Sequence, residues 1–196
     1  MMTPKQCEQE LAKHLSGKRF NHCRNVAEEA VRLARRYGAD PEKAQIAGLL
    51  HDIMKETPGA EQLKLLDSFG IMMSTAERSN PKLWHAISGA AFLEHELGIS
   101  DAGILDAVRC HTSGRKDMTR LDKVLFVADY ISADRDYPGV EEMRRAAKKS
   151  LEEAMLEGIA FTVGELMEQR AFVAPGSVDA YNDALALLKK PEPCRK

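Results

Sequence analysis

Long hydrophobic runs are missing from this chain of 196 residues. No apolar stretch approaches the roughly 20 residues that a bilayer-crossing helix needs, so no membrane partner is expected. The opening segment "MMTPKQCEQELAKHLSGKRF" carries charges throughout and has neither an apolar h-region nor a small-residue cleavage site, so it does not read as a signal peptide. An excess of basic charge is missing too. The 28 Lys and Arg against 30 Asp and Glu leave a net charge of -2, which supplies no field to gather nucleic acid. Cysteine is sparse and scattered. Cys7, Cys23, Cys110 and Cys194 form no CxxC pair, which argues against a zinc knuckle or a disulfide framework and suits reduced thiols. The expected location is the cytoplasm. No internal repeat, linker or low-complexity segment interrupts the chain.

Strand signals are nearly absent, and what is present has helical spacing. Val26, Ala30, Leu33, Ala34 and Tyr37 make one apolar face. Asp40 before Pro41 reads as a capped helix start, Thr57-Pro58-Gly59 as a stop before a helix over Ala60 to Phe69, and Ser79-Asn80-Pro81 as a third break. Further helices are expected over Lys82 to Leu97, Asp101 to His111, Leu121 to Ser132, Val140 to Ser150, Leu151 to Gln169 and Val178 to Lys189. The expectation is one all-α domain over 1–196. Its C-terminal helices, about 140–190, should pack on the preceding core, and the "KKPEPCRK" tail should be frayed.

Four of the six histidines fall on faces otherwise given to core packing. His22 lies four before Val26, His51 four after Ala47, His85 seven before Phe92, and His111 three after Val108. Asp129, four after Leu125 in "VLFVADYIS", does the same, and Asp52 stands beside His51 in "AGLLHDIMK". A lone histidine on an apolar face is ordinarily a core residue bonded to a backbone carbonyl. Five such residues each need a partner of their own, whereas metal ions would satisfy them together. His14 and His95 read as structural or surface residues.

Four imidazoles and two carboxylates suit iron, manganese or zinc better than magnesium or calcium, and the lack of clustered thiols speaks against a structural zinc site. Asp52 can bridge two ions while His51 binds one, which would explain why they are adjacent. Two divalent ions at about 3.5 to 4 Å are the recurring arrangement of phosphohydrolases.

The ordered segments "FNHCRNVA", "LLHDIMK", "WHAISGA", "CHTSG" and "ADYIS" resemble the HD-domain superfamily of metal-dependent phosphohydrolases, in its binuclear form. Within it, "HDIMK", "HTSGR", "LDKVLFVADYIS" and "RDYPGVEEMR" are similar to the YqeK family of symmetrical diadenosine tetraphosphate hydrolases. The resemblance runs from His22 to Arg145 and implies a helical bundle of the HD type, with a metal-site core at about 18–135. It implies His22, His51, Asp52 and Asp129 on one ion and Asp52, His85 and His111 on the other, most naturally iron, with a bridging hydroxide as nucleophile. Lys55, one helical turn past His51 and Asp52, is then a catalytic phosphate-binding residue, and Arg115 and Arg135 are further phosphate clamps. One departure stands out: Ser132 and Ala133 occupy positions where an acidic residue and proline are expected.

The function implied is symmetrical cleavage of a dinucleoside tetraphosphate, giving two ADP from diadenosine tetraphosphate. The alternative is an HD phosphohydrolase acting on a mononucleotide or a guanosine alarmone, and a non-catalytic nucleotide sensor is the competing class. The partner is a small nucleotide; a homodimer stays open. Trp84 and Tyr137 are aromatic candidates for holding a base, and equally for the core.

Overall fold

Short polar side chains ahead of apolar-periodic segments start many of the helices, because they satisfy amide groups that a helix leaves free in its first turn. The computed structural model describes residues 2–189, and among these there are eleven α-helices and no strand. They are α1 (Pro4–His14), α2 (Gly17–Tyr37), α3 (Pro41–Leu50), α4 (Gly59–Ser68), α5 (Thr75–Arg78), α6 (Trp84–His95), α7 (Ala102–Cys110), α8 (Arg120–Ile131), α9 (Val140–Ala146), α10 (Leu151–Glu168) and α11 (Pro175–Lys189), with a 3-10 turn over Pro81–Leu83. The Asp40 carboxylate accepts from the Glu42 and Lys43 amides, and Pro41 opens α3. The "KPEPCRK" part of the tail, with Cys194, lies outside the described residues.

Three differences from the expected elements have local causes. Helix α9 ends at Ala146, not Ser150, because Ser150 is extended (φ -153°, ψ 161°) and its hydroxyl accepts from the Glu153 amide, so it starts α10. Helix α11 begins at Pro175, three residues before Val178, since proline fits a first helical turn. The short α5 went unassigned. It is held by a capping box in which Ser74 and Glu77 satisfy one another's backbone amides.

Helix α2 packs along α3 and α8, α3 also meets α1, α7 and α8, and α6 packs on α7 and α4. Helix α10 lies against α8, α9 and α11. Buried side chains from every helix but α4 and α5 join in one hydrophobic cluster that includes Leu11, Leu33, Leu50, Leu125 and Met155, while Leu66, Ile87 and Ala91 form a second, smaller one. No described helix is long and apolar enough to cross a membrane. Cys7, Cys23 and Cys110 are free and buried; burial pushes the Cys7 thiol up to about 11 and that of Cys110 to about 12, which leaves both as inert core groups.

The α2–α3 contact sets the distance between His22 and His51, and one glycine permits it. A Cβ at Gly48 would stand 2.6 Å from Ala27 Cα, a backbone atom that cannot rotate aside. Alanine would gain about 1 kcal/mol in helix propensity, but forced separation of two packed helices costs about 1–3 kcal/mol, and the backbone clash puts this case at the upper end. Gly48→Ala should therefore lower the melting temperature and weaken metal retention, read by calorimetry and elemental analysis; a melting temperature equal to or above the parent's would contradict the close-approach argument.

Candidate metal centre

Two helices have a histidine as their C-terminal cap, and both use the same device. The last carbonyls of a helix lack intrahelical partners. His51, capping α3, donates from Nδ1 to Gly48 O at 2.8 Å, and His111, capping α7, donates from Nδ1 to Val108 O at 2.6 Å. Each bond selects the tautomer that leaves Nε2 with a free lone pair turned inward, as a metal ligand requires.

Around these two imidazoles the fold collects the other four residues. Helix α2 brings His22, α6 brings His85, α8 brings Asp129, and Asp52 follows His51. The two oxygens of Asp52 face different neighbours. Oδ2 lies 3.6 Å from His51 Nε2 and 3.9 Å from His22 Nε2. Asp129 Oδ1 completes that side, 3.0 Å from His22 Nε2 and 3.8 Å from His51 Nε2. Oδ1 of Asp52 lies 3.1 Å from His85 Nε2 and 3.7 Å from His111 Nε2, which are 3.2 Å from each other. The structure thus brings all six expected ligand residues together, with Asp52 between two groups.

The atoms themselves test whether a metal fits. His51 Nε2 and Asp52 Oδ1 are buried and make no hydrogen bond, a costly condition for polar atoms with no access to water. Ligand atoms of His22, His51 and Asp129, and of His51, Asp52 and His111, lie within 4.8 Å of one another. Protonation states agree. Burial depresses His51 and His85 to about 4 each, so both are neutral at neutral pH, the form a metal ligand needs. Burial would raise Asp52, but His51, His111, His85 and Lys55 hold its carboxyl well below the ordinary range. Asp129 is likewise held well down against its burial, chiefly by His22 and Arg135. A nitrogen-rich set with two ionised carboxylates is the chemistry of a divalent transition-metal site.

Several supporting residues were not singled out from the sequence. Arg19 reaches Asp52 Oδ2 at 2.9 Å; it stands three before His22 on α2, a spacing that puts the two on one face. Asp134 accepts from His22 Nδ1 at 2.7 Å, orienting that ring as the carbonyls orient the others. Burial lowers His22, but its pairing with Asp129 and Asp134 outweighs this and raises it overall. The Ser132 departure is resolved here: its hydroxyl donates to Asp134 Oδ1 at 3.0 Å, so it positions the carboxylate two residues on. Arg144 closes the loop by donating to the carbonyls of Ile131, Ser132 and Arg135.

Lys55 Nζ lies 3.1 Å from His85 Nε2 and 3.8 Å from Asp52 Oδ1, at the edge of the cluster. Arg135 pairs with Asp129. Both line a cavity of about 460 Å³ with Lys82, Thr112 and Tyr137. Lys82, three before His85, and Thr112, beside His111, carried the right spacing but no distinguishing chemistry in the sequence. Trp84 is structural, with Nε1 donating to Glu77 O at 3.0 Å. His14 and His95 stand apart, packed on Phe92 and Phe69.

Arg115 corrects an expectation. Its guanidinium is 2.6 Å from the fully buried Asp122 and 3.3 Å from Asp106, and it borders a different cavity, beside Met118 and Ala180, so it is not brought to the phosphate side. The loop after His111 turns toward α11 through Gly114, whose φ of +69° and tight approach to Ala180 steer the next residue away. Burial raises the Asp122 carboxyl despite Arg115 and Thr119.

An all-helical fold around a buried cluster of His and Asp side chains defines the class, and comparison with known proteins agrees. A family model described as HD domain matches residues 19–134, and the chain belongs to that family. A Bacillus subtilis (strain 168) protein named "Bis(5'-nucleosyl)-tetraphosphatase, symmetrical" is 41% identical over 175 residues, 89% of this chain and 91% of the relative. A Staphylococcus aureus (strain NCTC 8325 / PS 47) protein of the same name is 34% identical, over 86% of this chain and 87% of its own. Among solved structures, a Clostridium acetobutylicum protein described as a "predicted HD superfamily hydrolase involved in NAD metabolism" superposes with a TM-score of 0.90 at 33% identity, covering 95% of this chain and 99% of its own.

The placement of Arg115 is open to a direct check. Arg115→Ala strips a buried carboxylate of its partner and should destabilise the fold by about 1–3 kcal/mol, lowering the melting temperature while leaving KM unchanged. A raised KM with unchanged stability would return the residue to the phosphate side.

Proposed function

We propose that this protein hydrolyses dinucleoside tetraphosphates symmetrically, splitting diadenosine tetraphosphate into two ADP with two divalent transition-metal ions, iron foremost and manganese or zinc as substitutes. One observation carries the reading: Asp52 turns one oxygen toward each of two imidazole groups, beside a cavity lined by cations. The symmetrical bis(5'-nucleosyl)-tetraphosphatases that match this chain over nearly its whole length support the substrate and the products.

His22, His51, Asp52 and Asp129 would hold one ion, and Asp52, His85 and His111 the other. Bound there, divalent ions supply Lewis-acid polarisation of a phosphoryl oxygen and a lowered water pKa. The chain's own residues do the rest. Lys55, Lys82 and Arg135 bring three positive charges to one cavity, enough to offset much of a polyphosphate's charge and to hold the phosphates on either side of the scissile one. Lys55, nearest the cluster, is placed to stabilise charge that builds on the phosphoryl oxygens as the bond breaks. Thr112 offers a hydroxyl at 3.4 Å from His85 Nε2, where it can donate to a phosphate oxygen. Cleavage at the central bridging oxygen follows if the centre engages an inner phosphate, because equal halves then lie to each side.

Chromatography of an early time point with diadenosine tetraphosphate should show two ADP, and elemental analysis about two ions per chain. Equal ATP and AMP would refute the symmetrical cut, rapid mononucleotide hydrolysis without cleavage would favour the alternative substrate, and less than about half an ion per chain would remove the two-ion site.

Roles within the site separate by variant. Asp52→Ala should abolish turnover together with metal binding, since both sides depend on it. Lys55→Ala should keep its metal and lose about 100-fold in kcat. Loss of metal in the lysine variant, or near-parental activity in the aspartate variant, would refute these assignments.

A further inference from the structure

The cavity beside the His and Asp cluster is lined by side chains of two unlike kinds. Lys55, Lys82 and Arg135, the last paired with Asp129, bring positive charge, and Tyr137 and Phe161 bring aromatic rings whose centroids lie 5.8 Å apart at 32°. Phe161 is 45% exposed although it stands midway along α10, a position at which a large apolar ring is ordinarily covered. Its place relative to the cluster is fixed from both sides. Tyr130, which follows Asp129, bonds through its hydroxyl to Thr162, which follows Phe161, at 2.6 Å. Tyr137 donates to Tyr130 O at 3.0 Å, so its ring is held against the same framework.

We propose that Phe161, backed by Tyr137, is the surface on which a nucleobase of the substrate stacks. This rests on the nucleotide reading above and adds to it the element that holds the nucleoside. A nucleoside diphosphate is a charged chain joined to a flat aromatic ring, and the cavity is lined by both cations and an exposed aromatic ring. Tyr137 spends its hydroxyl on the backbone, so the contact is through the ring face, which every base can meet. Tyr137 and Phe161 lie beyond residues 19–134, the part matched by the HD-domain model. The base-facing wall is accordingly a contribution of the segment that follows that core, and the phosphate-cutting centre a contribution of the core itself.

Isothermal titration of the metal-loaded protein with ADP, and separately with inorganic pyrophosphate, tests this without relying on turnover. Because the ring is exposed, Phe161→Ala should fold normally. It should bind ADP about tenfold more weakly and pyrophosphate as the parent does, and Phe161→Trp should restore ADP affinity. In kinetics the alanine variant should raise KM for diadenosine tetraphosphate far more than it lowers kcat. Unchanged ADP affinity, or equal losses for ADP and pyrophosphate, would overturn the stacking role. If the parent cleaves diadenosine tetraphosphate while Phe161→Ala keeps its KM, stacking falls and the functional reading stands; a parent that neither cleaves it nor binds ADP brings down both.

Discussion

A single buried carboxylate organises this molecule. Asp52 is almost wholly withdrawn from water, and its two oxygens look at two pairs of imidazoles, with Oδ1 accepting no hydrogen bond and Oδ2 accepting one from Arg19. An ionised group so placed demands positive charge. Arg19 and Lys55 supply part of it from the rim, at 2.9 and 3.8 Å, and the depressed imidazoles of His51 and His85 supply lone pairs, not charge. A cation between the rings and the carboxylates meets both needs together, which is why the same six side chains that are awkward as a core are coherent as a metal centre.

The surrounding structure serves to hold those rings still. His51 and His111 are tied to the ends of their own helices, and His22 is tied to Asp134. Asp134 is in turn held by Ser132, in a loop clamped by three Arg144 contacts. The chain of support therefore runs from ligand to loop to α9, and it makes residues far from the ions part of the geometry of the site. Gly48 plays a similar part by absence, since its missing side chain lets α2 and α3 approach closely enough for His22 and His51 to share a neighbour.

The loop after α8 and the helix α10 help to shape the cavity beside the cluster. The HD-type core contributes all six candidate ligand residues, while Arg135, Tyr137 and Phe161 beyond it contribute part of the lining of the neighbouring cavity. This division lets one metal centre be combined with different binding surfaces without disturbing the ligands.

Helical periodicity, proline and glycine stops and capping residues determined the all-α class and most helix limits from sequence, because those signals act over a few residues and need no partner from elsewhere. The six candidate metal-site residues stood out for a related reason: charged and imidazole groups on apolar faces are a local contradiction, visible wherever the helix lies, and their ordered motifs resemble one family. What tertiary structure alone decided were the contacts between distant segments. Arg115 and Arg135 are both arginines in loops after a ligand; the turn at Gly114 sends one to Asp122, while the Ser132–Asp134 loop delivers the other to Asp129. Asp134, Lys82 and Phe161 carried no local contradiction at all, since a loop aspartate, a helix-start lysine and a helical phenylalanine are each ordinary. Their significance comes only from what folding places beside them, and one-dimensional spacing holds no record of that.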